Sequence, residues 1–567
     1  MPVYYYGLGD PDAKERFTYW KEHTPSAIAI DTETISLKER MPLGFAIAFS
    51  PDECFYFQVH PDIPPELELI KSWLADIRIV KIFQNAMFDL SVFPLIPVVG
   101  DILNTANLFD TNVAARLLGY VDTSLEMLAD VHKIGIEPAG QLMKRFNATD
   151  MLKVPPMEVA DHCQKDARAT FRLWLEFKDK IHSQYPEYFN IEMQVIPILI
   201  AMSMKGITID QNIRGYLSTQ YQKDIEFYTS VMKQYGIDKP SSNQQVGYML
   251  ANRGNFLPFT RRKVNAKTGK YNKQQISTRE EELEFLDDPL AAAVIGYRKK
   301  TKFKGTYLDP LEGQDRFYTN YYMDTSVGRL SSRDRNVQNI PLDARQMLCP
   351  DNGVFTTVDY QREHMYLLAN FSKDRDMLEV LYDPDPERND VHKLTAKKMN
   401  VTRKMAKTLN FAVAYGATAK TISEQAKIKD IRLCEKLIED WFRAYPSTAD
   451  WVKEIKEEGM RTGWAVPTLF GRRIKIQEEF YSNGKLNTEA MGRKCINFPV
   501  LGSDGEVIKR AIIKVNQKNL GPPLLALTVH DSLTFDGEVA SIIPRDELEH
   551  IAPFRLPIDI KETLRWE

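Results

Sequence analysis

The sequence predicts a multidomain protein of mixed α/β and α+β class. A sheet carrying helices comes first, an elongated helical segment follows, and a mixed strand–helix body closes the chain. Three observations predict this. Apolar runs of strand length crowd residues 27–83 and then give way to helical periodicity. Residues 186–310 read as helices interrupted by a polar, basic stretch at 259–275. From residue 311 onward strand-like and helix-like segments alternate again. A chain of 567 residues has room for two to four domains of ~100–200 residues each.

The first strands are expected at Ala27–Ile30, Gly44–Phe49, Cys54–Val59 and Ile79–Phe83. Helices are expected from about Thr105 to Ile181. Further on, Phe355–Val358 reads as a strand, and Thr402–Tyr415 as a helix closed by Gly416. Leu524–Val529 and Leu533–Phe535 read as a hairpin around His530, Asp531 and Ser532.

Composition narrows the function classes. A hydrophobic fraction of 43% suits a chain that buries a core. The net charge of −3 gives no global basic field, so any phosphate attraction must come from local patches. Two basic runs exist. One is Arg261, Arg262, Lys263, Lys267, Lys270 and Lys273; the other is Arg298, Lys299, Lys300, Lys302 and Lys304. Either run read alone is a solvated surface. The five cysteines form no CxxC pair, which argues against a disulfide framework and a zinc site. With no signal-peptide layout and no apolar run of ~18 residues, a cytoplasmic protein with no membrane partner is expected.

Carboxylates carry the first chemical signal. Asp31 and Glu33 follow the apolar run Ala27–Ile30. Alternate residues of a strand share a face, so the two point the same way. With Asp89 and Asp166 they make a set that would hold two hard cations such as Mg²⁺. Read singly, each aspartate is equally an ordinary capping or surface residue. A second pair is Asp359, ending the strand Phe355–Val358, and Asp531 in the hairpin. Between them, Arg403, Lys407, Phe411 and Tyr415 recur every four residues. At 3.6 residues per turn they form one slanted stripe. Two cations and two rings on one stripe suit a nucleotide, with phosphates on the cations and sugar and base on the rings. A half-buried amphipathic face is the other reading of that stripe.

Taken together the motifs are more specific. "DTET", "NAMFD" and "HCQKDARAT" resemble the three exonuclease motifs of the proofreading domain in family A DNA polymerases. "DTSVGRLSS…NVQNIP", "VDYQ", "RKMAKTLNFAVAYG" and "VHDS" resemble that family's polymerase motifs, in its order. The resemblance runs from about Ala27 to the C-terminus, with no counterpart of an additional 5′ nuclease domain, as in a phage or plasmid replicative enzyme. It implies an RNase H-like 3′→5′ exonuclease domain at 1–185. A right-hand polymerase would follow, with the thumb at 186–310 and palm and fingers at 311–567, the fingers at approximately 380–480.

The resemblance also implies roles. Asp31, Glu33, Asp89 and Asp166 would hold the exonuclease metals. His162, where the family has Tyr, would orient the water. Asp359, Asp531 and the Tyr360 carbonyl would hold two Mg²⁺, or Mn²⁺ in their place. Arg403 and Lys407 would grip the triphosphate, Phe411 the sugar, and Tyr415 the nascent pair. His364, with Glu363 beside it, stands where the family screens the ribose 2′-OH with Glu. Arg329, Gln338, Asn339, Arg493, Asn497 and His530 would contact primer–template DNA, and the stretch 259–275 would be the thumb tip on the duplex. Ser532, Ala412 and Leu501 are further departures from the family pattern. Implied partners are primer–template DNA and dNTPs, with a helicase or primase and a single-strand-binding protein, around a monomeric enzyme. Two rival readings remain at this level: a single-subunit RNA polymerase, which shares "HDS", and a primer–template binding protein with little catalysis.

Overall fold

The structure is a computed structural model, and it describes residues 5–6, 13–36, 40–59, 66–95, 107–260, 274–481 and 483–566. The front of the chain builds a six-stranded mixed sheet. Its strands are β1 (Tyr5–Tyr6), β2 (Ala27–Thr34), β3 (Pro42–Ala48), β4 (Cys54–Gln58), β5 (Val80–Phe83) and β6 (Leu108–Asp110), in the order β1-β4-β3-β2-β5-β6. The β2–β3 and β3–β4 pairs are antiparallel, whereas β5 joins β2 in parallel and β6 joins β5 in parallel. The helix Pro156–Gln184 lies across β2, β3 and β4 and buries Ala160, Cys163, Ala167 and Phe171 against them. The small side chains of Ala160, Cys163 and Ala167 let the helix come close to the sheet.

The expected strands are present, with two differences. β2 runs on through Asp31 and Glu33 to Thr34, so the acidic pair lies inside the strand. Leu108–Asp110 is a strand where helix was expected. Three residues are too few to show a period, and pairing with β5 decides their conformation.

The expected helical segment is not one packing unit. Its first helix, Pro186–Lys205, packs against the long helix Thr488–Gln517 in the main core, where Glu192 and Lys509 form a fully buried ion pair at 2.5 Å. A separate smaller core gathers Met232, Val246, Leu250, Leu290 and Val294 from the helices Gln211–Gln234, Asn243–Asn252 and Pro289–Phe303, with Ile237 from the loop after the first of them. The basic residues 261–273 lie outside the described residues; the bridge between Phe259 and Ile276 brings the flanks of that stretch together. In the second basic run, Lys299 pairs with Glu280 at 2.6 Å, Lys300 with Asp224 at 2.7 Å and Lys304 with Asp309 at 2.7 Å. Those charges are largely spent within the helical unit.

Among the described residues the rear body holds three small sheets. β7 (Ile207–Ile209), β8 (Arg316–Phe317) and β11 (Leu348–Cys349) form one, and the hairpin β9 (Asn320–Tyr322) with β10 (Ser331–Arg333) forms another. The third is antiparallel, in the order β13-β14-β12-β15, from β12 (Phe355–Tyr360), β13 (Leu525–Val529), β14 (Ser532–Asp536) and β15 (Ile558–Thr563). β13 and β14 join through the two residues His530 and Asp531, with His530 at φ 54°. The expected hairpin is there, but Ser532 belongs to its second strand. Among the described residues no helix is long and apolar enough to cross a membrane.

Candidate active sites

The four front carboxylates converge. Asp31 and Glu33 lie on β2, Asp89 on the helix Ala86–Val92, and Asp166 on Pro156–Gln184. Asp89 Oδ1 accepts from the Thr32 amide at 3.0 Å and from the Thr32 hydroxyl at 2.7 Å, which ties its helix to β2. His162 Nε2 lies 3.5 Å from Glu33 Oε1 and 3.7 Å from Asp166 Oδ2. Among the described residues, none of the four carboxylates pairs with a lysine or arginine, and Asp166 Oδ1 is buried without a partner. Burial, then repulsion from Asp166 and Asp89, holds Asp31 and Glu33 well above the usual carboxylate range. Burial also raises Asp89 to about 7 and Asp166 to about 8. Uncompensated, mutually repelling oxygens of this kind fit hard divalent cations. Burial lowers the pKa of His162, which favours the neutral imidazole.

Two supports of this cluster had not been singled out. Asp110, at the end of β6, accepts from the amides of Asn85, Ala86, Asn112 and Val113 at 2.8–3.2 Å. It holds Asn85 in its left-handed turn (φ 73°) and so aims the helix that carries Asp89. Its place just before a helix, as Asp-Thr-Asn, is an N-cap signal visible in sequence. Cys163 donates to Asp31 Oδ2 at 3.3 Å, and its Sγ lies with the Asp31 and Glu33 oxygens inside a 4.8 Å cluster.

In the rear body, the β12–β14 register sets Asp359 opposite Ser532, and the Tyr360 amide donates to the Asp531 carbonyl at 3.1 Å. Asp359 and Asp531 therefore sit at the same end of one sheet. Asp359 is surface-accessible, yet protein crowds around its carboxyl; partial loss of water and the nearby Asp531 charge raise it to about 6. Asp531 is raised too, by burial and then by Asp504. Glu363 is 1% exposed, and neither of its carboxyl oxygens has a partner among the described residues. This set too fits divalent cations, since it offers oxygen donors short of positive charge.

The stripe is present. The helix spans Arg403–Ala414, with Thr402 as N-cap and Gly416 at φ 60° just past its end. The Phe411 and Tyr415 rings lie nearly parallel (15°), their centroids 6.5 Å apart, and the Lys407 ammonium is 6.0 Å from the Phe411 centroid. Arg403 is exposed and bonded to Asp390 Oδ2 at 2.8 Å, a pairing the spacing did not foretell. The other face is fixed by Asn410, fully buried, whose amide oxygen accepts from Thr395 at 2.9 Å and Trp441 at 2.8 Å.

Tyr415 meets the sheet body through His364. Its hydroxyl lies 2.7 Å from His364 Nδ1, and His364 Nε2 lies 3.3 Å from Asp504 Oδ1. Arg329 Nε donates to Asp504 Oδ2, and Arg329 Nη2 is 3.2 Å from His364 Nε2. Burial alone would raise Asp504, but His364 and Arg329 outweigh it and hold the carboxyl down to about 2. Asp504 carries no local sequence signal; only the tertiary structure brings it here.

The remaining expected contacts spread along the same body. Arg329, Gln338 and His530 line one groove of about 270 Å³ together with Leu501 and Asp504. Gln338 spends its amide nitrogen on the Leu330 carbonyl at 2.7 Å, and the exposed Asn339 accepts from Tyr307 through its carbonyl. Arg493 lies under Gly416, whose missing side chain allows the approach: a Cβ there would lie 3.5 Å from the Arg493 Cα. Asn497, about one turn further along, keeps a buried amide oxygen without a partner among the described residues. A larger cavity of about 630 Å³, between β6, Pro186–Lys205 and the end of Thr488–Gln517, contains none of these residues.

Fold and sites define a class: a 3′→5′ exonuclease-type α/β domain joined to a polymerase-type body. Residues 214–553 match DNA polymerase family A and residues 11–182 match 3′-5′ exonuclease, and the chain belongs to DNA polymerase family A. It is 28% identical to DNA polymerase I of Chloroflexus aurantiacus over 95% of this chain and 59% of that one. It is 30% identical to the thermostable DNA polymerase I of Thermus filiformis over 66% of this chain and 47% of that one. The chain thus spans about three-fifths or less of these relatives' length. In fold it resembles the POL domain of Pol1 from M. smegmatis, solved in complex with DNA primer-template and dNTP. That match has a TM-score of 0.77 at 20% identity and covers 97% of each chain. Family membership together with the exonuclease match sets aside the RNA polymerase reading.

Proposed function

We propose that this chain is a DNA-directed DNA polymerase that adds dNTPs to a primer 3′-OH, and that its front domain removes 3′-terminal nucleotides. The observation that carries the reading is the β12–β14 register, with Asp359 and Asp531 at one sheet end and Tyr415, the last residue of the cationic–aromatic stripe, tied to His364 nearby. Asp359, Asp531 and the Tyr360 carbonyl hold two divalent cations, Mg²⁺ in the cell. When bound, these lower the pKa of the primer hydroxyl and neutralise the triphosphate. Lys407, and Arg403 once it exchanges Asp390 for phosphate, bind the triphosphate. Phe411 packs on the sugar and Tyr415 beside the base. Arg329, Gln338, Asn339, Arg493, Asn497 and His530 hold the duplex, with the helical unit as thumb on its backbone. In the front site Asp31, Glu33, Asp89 and Asp166 hold the cations, and neutral His162 orients a water for attack on the terminal phosphodiester.

The test is a labelled primer–template incubated with Mg²⁺, with and without dNTPs. Lengthening is expected with dNTPs and shortening without them. Asp359→Asn or Asp531→Asn should cut extension by more than about 10²-fold while duplex binding persists. Near-wild-type turnover in either variant would refute the assignment.

A further inference from the structure

His364 touches three partners from distant stretches of the chain, Asp504, Arg329 and Tyr415. Its Nε2 faces the Asp504 carboxylate at 3.3 Å, an acceptor only. Its Nδ1 faces the Tyr415 hydroxyl at 2.7 Å. Arg329 Nη2, a donor only, lies 3.2 Å from the same Nε2, so the imidazole is clamped between the guanidinium–carboxylate pair on one side and the tyrosine hydroxyl on the other. Asp504 is in turn gripped by Arg329 Nε, and at 1% exposure it cannot swing to another partner. The His364 and Tyr415 rings meet edge to face at 5.2 Å, so the ring that fixes Tyr415 is itself fixed.

We propose that Asp504 is a specificity-determining positioning residue. Through Arg329 and His364 it holds the Tyr415 ring and fixes the imidazole beside that ring, on the incoming-nucleotide pocket. The proposal rests on the polymerase reading. Its logic is a count of partners: one guanidinium needs one carboxylate, and one tyrosine hydroxyl needs one hydrogen-bond partner. Asp504 and His364 divide those tasks between them. A single carboxylate at position 364 could perform both, but only with position 504 emptied of charge. Buried Glu363 already lies close by, and its charge is repelled by Asp504.

Four proteins test this: the wild type, Asp504→Ala, His364→Glu and the double variant. Each is assayed for single-nucleotide primer extension with a dNTP and with the matching NTP, giving kcat and KM separately. Asp504→Ala should raise the KM for the dNTP and lower the dNTP/NTP ratio of kcat/KM by about tenfold or more, since it strands Arg329 and frees the imidazole. His364→Glu alone should also lower the ratio, because it adds a carboxylate beside Asp504 and Glu363. The double variant should recover the ratio to within about threefold of wild type. A merely structural role for Asp504 predicts the reverse order, with the double variant worst. Asp504→Asn keeps the side-chain volume and should show the Asp504→Ala change in milder form, which covers a folding defect in the alanine variant. An unchanged ratio in both Asp504 variants, or a double variant no better than either single one, overturns the proposal. A wild type that extends no primer refutes the polymerase reading and this proposal with it.

Discussion

Glu506 sits on the inward face of Thr488–Gln517 at 1% exposure, where Oε1 accepts from the Thr468 hydroxyl at 2.8 Å and Oε2 has no partner among the described residues. Burial raises its carboxyl to about 7, against the pull of Arg472. The folded protein therefore keeps a proton that the unfolded chain releases near pH 4.3, the usual glutamate value of about 4.3. Stability from this group is fully present below that pH, declines as pH rises, and is gone once pH passes about 7. Glu506→Gln removes the dependence. Urea unfolding at pH 5 and pH 8 should show the variant gaining on wild type at the higher pH, by on the order of 3 kcal/mol. Equal slopes for the two proteins would mean that Glu506 is ionised throughout. The same physics marks the carboxylates of both sites: among the described residues none forms an ion pair with a lysine or arginine, and burial or crowding makes its charge costly. Asp110 shows the opposite solution, in which backbone amides satisfy a buried carboxylate and turn it into a scaffold.

At the scale of the element, the helix Arg403–Ala414 explains why its stripe is free to work. Asn410, bonded to Thr395, Trp441 and His392, pins the opposite face in the core. Lys407 is left exposed, with no ion pair among the described residues, and so is open to phosphate. Lys407→Ala should raise the KM for dNTP by about tenfold in steady-state extension; unchanged kinetics would show that the side chain never meets the triphosphate. This helix was legible in the sequence to within a residue at each end, because Thr402 and Gly416 are local stop signals. The carboxylate clusters were legible for a related reason, since acids that follow an apolar run, and short motifs, are local patterns, although β2 and β12 extend past the acids expected at their ends. β6 was not legible, being too short to show a period, nor was Asp504, whose partners lie 140 and 175 positions away in the chain. Arg403 falls between these cases. Its place on the stripe is local, but its tie to Asp390 belongs to a neighbouring helix.

At the scale of the whole molecule, the two sites are built on separate sheets, and the seam between them holds them apart. Arg116 of the front domain donates to the Met323 carbonyl, Arg40 donates to the Tyr322 hydroxyl at 3.1 Å, and Gly119, at φ 88°, leaves room for the Trp464 ring. None of these contacts touches Asp31 or Glu33, so chemistry at the front can be removed without disturbing the rear. Asp31→Ala combined with Glu33→Ala should abolish shortening of a primer in Mg²⁺, by more than about 10²-fold, and leave extension at its wild-type rate. The fold should not suffer either. Both carboxylates are held well above their usual range by burial and by repulsion from Asp166 and Asp89. Without metal they are protonated or mutually repelled, so their loss relieves strain in the folded state. Thermal melting in chelator at pH 8 should therefore give the double variant a Tm equal to or above that of wild type, whereas Mg²⁺ should raise the Tm of wild type more than that of the variant. Degradation that continues would move the nuclease elsewhere, and a parallel loss of extension would mean that the two sites share more than a seam.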